Sequence, residues 1–191
     1  MNLELLITIF MGIGLSAASG FRIFVPFLVV SIAAFTGNLT LSDSFSWIGT
    51  LPALITFSLA TVVEIAGYYI PWIDNLLDTI ASPIAVIAGA VLMASVLTEI
   101  SPLVKWVLAI IAGGGVAGTI QAITGVTRIT SSVTTGGLGN PAVSSVESGG
   151  SLTLSVIAIF IPLIAGIIVI VLLIWATKIL ISRFTAKSKT S

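Results

Sequence analysis

Six apolar segments, at roughly residues 3–19, 23–36, 48–70, 83–99, 102–124 and 152–181, leave this chain little room for anything that folds in water. A bilayer core about 30 Å thick takes roughly 20 mostly apolar residues per helical crossing. The segments therefore predict an all-α fold, a polytopic transmembrane helical bundle. Composition agrees: 57% of the 191 residues are apolar and 7% charged, against about a quarter charged in a soluble domain. The expected organisation is one integral membrane domain over residues 1–191, with a short basic tail at 182–191. The first two segments are short. At 1.5 Å per residue they give helices of about 25 and 21 Å, which are either short crossings or one crossing followed by a re-entrant piece.

Local signals place the breaks. Ser82-Pro83 and Ser101-Pro102 each set a hydroxyl at an N-cap and Pro at the first helical position, so each predicts a fresh helix start. Ser19-Gly20 and Pro26 speak against one continuous helix from 3 to 36. Trp47, Tyr68, Tyr69, Trp72 and Trp106 fall near segment ends, as interfacial aromatics should. Glu4 and the lack of Lys or Arg in the first residues argue against a secretory signal and for a retained first span. The C-terminal Lys178, Arg183, Lys187 and Lys189 predict a cytoplasmic C-terminus, next to anionic lipid, in a bacterial inner or other energy-transducing membrane. Counting back over six crossings puts Lys105 inside. Arg22, residues 71–82 and the connection 125–151 then lie together on the outer side.

Several chemistries lose their residues. Seven basic and seven acidic side chains give no net charge, and nothing points to nucleic acid. Without Cys or His, disulfides, iron-sulfur clusters and the usual zinc, haem and triad sites lack ligands or bases. No metal, cofactor or enzymatic activity is expected.

The few polar residues therefore carry the functional reading. Arg22, in Gly20-Phe-Arg-Ile-Phe-Val-Pro26, needs a partner at membrane depth, and Glu64, Asp74 and Asp78 are its candidates. Asp74 and Asp78 stand at i, i+4 on one helical face. Their repulsion would be relieved by water, a cation, a shared proton or an Arg, unless they are simply a solvated face. In the connection, Asn140-Pro141 predicts a short helix to about Ser148, ended by Gly149-Gly150. Gly136 to Asn140 would then offer free amides to an anion, or form an ordinary capped helix. With Arg128 and Glu147 the outer side holds four acids and two bases, an excess that predicts a cation or proton. Gly114 and Gly118 make a GxxxG spacing for close helix packing, within the chain or in a homo-oligomer. Gly20 and Arg22 are echoed by Gly125 and Arg128, a weak hint of an inverted repeat.

Three motifs, Ala17-Ala-Ser-Gly-Phe-Arg22 with Pro26, Glu64 with Ile70-Pro-Trp-Ile-Asp74, and Asn140-Pro-Ala-Val-Ser144 with Glu147, occur in an order and spacing that resembles a bacterial membrane family, domain of unknown function 4126. In that family an acidic-basic pair often precedes the Ile-Pro, where this chain has Tyr68 and Tyr69, and a second acid often follows the Glu, where it has Ser148. The resemblance implies a compact helical membrane protein and no particular activity. Two functions remain open. One is a small transporter or channel for an ion, proton or small polar solute, bound by Arg22, Glu64, Asp74, Asp78, Arg128, Asn140 and Glu147. The other is a structural or assembly subunit whose charges lock helices and whose Gly-rich faces meet a membrane partner.

Overall fold

The computed structural model describes residues 3–188, with the side chains of residues 71, 72, 74, 75, 78 and 179–188 outside the description. The described residues are helical, with no strand among them. In chain order they form α1 (Leu3–Phe21), α2 (Phe24–Phe35), a 3-10 helix (Asp43–Gly49), α3 (Leu51–Gly67) and α4 (Pro71–Val96). A rod follows, made of α5 (Pro102–Leu108), a π-helical turn (Ala109–Gly114) and α6 (Gly115–Thr135); α7 (Asn140–Phe160) and α8 (Pro162–Ser188) complete the bundle.

The break after α1 has a local cause. The Arg22 amide still bonds to the Ala18 carbonyl at 3.1 Å, but Pro26 has no N–H for the Arg22 carbonyl and its ring would collide with it. The chain therefore turns at Arg22 and Ile23, and α2 runs back beside α3. Gly49 lies against Ala34, Phe27 stacks on Phe57 at 5.1 Å between ring centroids, and the Ile23 and Phe24 amides reach Glu64.

α1 is the central post, packed against α4, α6, α7 and α8. Small residues make this possible. A Cβ on Gly20 would stand 2.6 Å from both the Ala117 carbonyl oxygen and Ile120 Cβ, Gly14 faces Ala158 and Ala165, and Gly12 faces Met93. Hydroxyls tie the same seams. Ser16 donates to the Gly89 carbonyl at 2.8 Å and Ser151 to the Ala18 carbonyl at 2.9 Å. These pairs fix direction: α4 runs antiparallel to α1 (Gly12 by Met93, Ser16 by Gly89), and so do α7 and α8 (Ser151 by Ala18, Ala158 by Gly14, Gly166 by Phe10). Gly114 and Gly118 both seat Val86 of α4, an internal use of the GxxxG spacing.

Several boundaries differ from those the sequence predicts. Ser82-Pro83 starts no helix, because Pro83 lies inside α4. A proline in a membrane helix forfeits one bond, and its neighbours can make good the loss; here Ala81, Ala85 and Ala88, all buried, hold the turns around it. The fifth segment runs on to Thr135, where Gly136 at φ +63° ends it. Gly149-Gly150 do not stop α7, since unpaired backbone in lipid costs several kcal/mol while a helical glycine costs about 1 kcal/mol. The last segment is split at Ile161, before Pro162. Among the described residues four helices are long and apolar enough to cross a membrane, or five if the 3-10 helix and α3, bent by 66°, count as one; the expected six are not reached by that measure. Nor does an inverted repeat fit. As α1 passes Met93 at Gly12 and meets Ala117 and Ile120 at Gly20, the second rod runs from Gly113, also at Met93, to those same residues. The two rods are parallel, whereas an in-plane two-fold axis would set them antiparallel.

Candidate functional site

Because α7 runs antiparallel to α1, its residues 144, 147 and 148, spaced i, i+3 and i+4 on one face, arrive at the α1–α2 turn. The Arg22 guanidinium meets all three. Nε donates to Ser148 Oγ at 3.0 Å, and Nη2 donates to Ser144 Oγ at 2.7 Å and to the Ser144 carbonyl at 3.0 Å. Nη2 also stands 3.2 Å from Glu147 Oε2. The α6–α7 hairpin brings Arg128 to the same carboxylate, with Nε at 3.2 and 3.1 Å from its two oxygens and Nη2 also bonded to Oε2. Glu147 thus bridges two guanidiniums. All three side chains are buried, Arg22 being only 1% exposed. Arg128 lies seven residues before the end of α6, about 10 Å along the helix, so the network sits inside the bundle and not on its rim.

Glu64, also buried, does something other than pair with Arg22. Its Oε1 accepts from the Ile23 amide at 2.7 Å and its Oε2 from the Phe24 amide at 2.9 Å. These are the first amides of α2, left without helical partners by the break, and a carboxylate is the natural acceptor at such a helix start. The expected pairing of Arg22 with Glu64 is therefore corrected: the ion-pair partner among the described residues is Glu147, while the alternatives Asp74 and Asp78 lie outside the described side chains. Tyr68, the residue that ends α3, completes the cluster. It is buried, 5% exposed, and is no interfacial marker. The guanidinium carbons of Arg22 and Arg128 stand 3.8 and 4.0 Å from its ring centroid, within cation–π range. Its neighbour Tyr69 pairs through its hydroxyl with Ser145 Oγ at 2.8 Å.

Two polar atoms here are buried without a hydrogen-bond partner: Arg22 Nη1 and, one turn before Glu64, Thr61 Oγ1. Buried donors in native structures are nearly always satisfied. Arg22 Nη1 is consequently the most informative atom in the cluster.

The other sequence candidates fall differently. Asp74 and Asp78 lie in the first turns of α4, and their side chains are outside the described residues; the expected surplus of acids rested on them. The described charges, Arg22, Arg128, Glu64 and Glu147, balance. Asn140 stands apart, at the start of α7, donating through Nδ2 to Ser132 Oγ at 2.9 Å. It is the first helical residue, with Gly139 as the cap. The loop before it is no anion cradle, because the Leu138, Gly139 and Asn140 amides bond to the Thr135 carbonyl, Thr135 Oγ1 and the Gly137 carbonyl. Among the described residues no three acids gather as a metal site. At the opposite end of the bundle, Glu4, Thr8, Thr40, Thr98 and Glu99 line a cavity of about 430 Å³, and Lys105 donates to Ser42.

A second cavity, about 590 Å³, adjoins the charged cluster between α3 and α4. Among the described residues its walls are apolar, with Glu64 and Tyr68 as the polar ones. Sequence reasoning missed Tyr68, Ser144 and Ser148 as members of the site. The spacing of Ser144 and Ser148 to Glu147 carried a signal, visible once the helix is known to run past residue 148; Tyr68 carried none.

No curated protein and no solved structure matches this chain. One family model does, over residues 9–182, and its span includes every residue of the cluster. The chain belongs to that family, described as a domain of unknown function, DUF4126.

Proposed function

We propose that this integral membrane protein is a small transporter or channel for an ion, proton or small polar solute, and that the cluster around Arg22 is its binding site. Arg22, Arg128, Glu64 and Glu147 form the centre of that site, with Asp74, Asp78 and Asn140 as outlying members. The observation that carries the reading is the buried, unpartnered Nη1 of Arg22 at a broken helix. A guanidinium at membrane depth is expensive, by insertion scales about 3 kcal/mol or more, and a purely structural network would be expected to use all its donors. Broken helices whose ends face a midplane site are also the way many transporters hold solutes. The cluster faces the outer side and the C-terminal tail the cytoplasm in this reading, the membrane being a bacterial inner membrane or its like, and no bond-breaking chemistry is assigned.

One observation favours the alternative of a structural or assembly subunit: each carboxylate oxygen of Glu64 and Glu147 already has a protein donor. Proteoliposomes separate the two. Under the transport reading, flux across a panel of protons, alkali cations, halides and small carboxylates contains at least one species carried above empty vesicles. That flux falls about tenfold or more in Arg22→Gln and Arg128→Gln variants that still fold. Equal flux in wild type and both variants would assign the cluster to structure alone.

A further inference from the structure

The cavity between α3 and α4 has a shape that a water-soluble ion does not need. α3 packs on α2 and leaves α4 after the turn at residues 68–70, so the two helices form the sides of a cleft. Leu59, Ala60 and Val63 line one side and Leu77, Ile80 and Ile84 the other. Of these, Leu59, Val63, Ile80 and Ile84 are themselves exposed, so the cleft is continuous with the apolar surface that meets the bilayer. Its inner end is different in kind. Ile23, Glu64 and Tyr68 close it, and the Tyr68 ring lies against both guanidiniums, one carrying the buried donor without a partner. Glu64 and Glu147 accept from protein donors already, so what the described cluster lacks is an acceptor. A planar guanidinium is matched to a carboxylate or phosphate oxygen.

We propose that the ligand of this site is a bilayer lipid or fatty-acid-like amphiphile with an oxyanion head, entering sideways between α3 and α4. Its apolar chain fills the cleft and its head reaches Arg22 at the Tyr68 end. This rests on the cluster being a binding site, and narrows its substrate class from a solute of the aqueous phase to one of the membrane. Tyr68 stands between chain and head, so a rotation of its ring accompanies entry.

The test is binding, not flux, so that its failure is distinct from that of the transport reading. Purified full-length protein in detergent is titrated with tritiated oleate, with oleyl alcohol as the chain without a charge and acetate and inorganic phosphate as heads without a chain. Oleate is expected to bind saturably and at least tenfold more tightly than oleyl alcohol, and neither small anion should displace it at millimolar concentration. Ala60→Trp, which fills the cleft and touches no charge, should weaken oleate about tenfold. Arg22→Gln, if it folds, should erase the difference between oleate and oleyl alcohol; the wild-type ratio tests the head independently of that variant. Equal affinity for oleate and oleyl alcohol would overturn the proposal, as would unchanged oleate binding in Ala60→Trp. Displacement by phosphate alone would overturn it in favour of a water-soluble anion. Flux without oleate binding would leave the transport reading standing and remove this one.

Discussion

Arg22 draws its environment from three different helices, and that sets what its loss should do. Replacing it with Gln leaves Glu147 held by Arg128 alone and strips two serines of their donor. Breaking a buried pair in this way costs about 3 to 5 kcal/mol. Because Glu147 is the shared partner, Arg22→Gln combined with Glu147→Gln should cost less than the sum, with a coupling of about 1 kcal/mol or more in reversible unfolding from mixed micelles. The cycle with Glu64→Gln should show weaker coupling, since Glu64 binds the Ile23 and Phe24 amides. A stronger coupling to Glu64 than to Glu147 would reverse the assignment. Glycines make a second residue-scale contrast. Gly20→Ala would force a Cβ to within 2.6 Å of the Ala117 carbonyl oxygen and should destabilise by about 1 to 3 kcal/mol. Gly149→Ala, with nothing within 4 Å of the added atom, should be neutral or stabilise by up to about 1 kcal/mol; equal losses at both would argue against the α1–α6 contact.

At the scale of elements, the sequence was legible where punctuation acts locally and illegible where packing overrides it. Pro26 breaks the first hairpin as its chemistry requires, and Ser101-Pro102 opens a helix, with Pro102 its first residue. Ser82-Pro83 is the same dipeptide and opens nothing, because it lies within α4, which packs against α1 and the glycine face of the α5–α6 rod. Gly149-Gly150 has the composition of a stop signal but lies where an unpaired backbone would be costlier than a glycine in a helix. The partner of Arg22 was missed for the same reason. Glu64 is the first acid after Arg22 on the predicted outer side, whereas Glu147 becomes a neighbour only through the antiparallel run of α7 along α1. Pro83→Ala tests the element directly. In a helix interior it restores a backbone bond and should leave the unfolding midpoint unchanged or raised; a loss above about 1 kcal/mol would indicate that the proline caps a helix start after all.

For the whole molecule, the passes alternate in direction, α1, α3 and the α5–α6 rod one way and α2, α4 and α7–α8 the other, so that acids and bases sort to two ends. That sorting was readable from charge placement alone, which groups Arg22, Arg128 and Glu147 apart from Lys105. The lateral cleft was not, because no periodicity records the divergence of α3 from α4. Topology predicts that Leu138→Cys, at the exposed α6–α7 turn, and Asn38→Cys, at the opposite end, react with an impermeant thiol reagent from opposite faces of the membrane. The central claim is that the buried cluster is reached by ligand and is not sealed for support, and the chain's lack of any cysteine makes one measurement direct. Ser148→Cys, half-buried beside the Arg22 Nε, should react with a small charged methanethiosulfonate in reconstituted vesicles, more slowly than Leu138→Cys and with oleate slowing it further. A Ser148→Cys variant that stays inert from both faces while Leu138→Cys labels fully would show a closed ion-pair network and contradict the account.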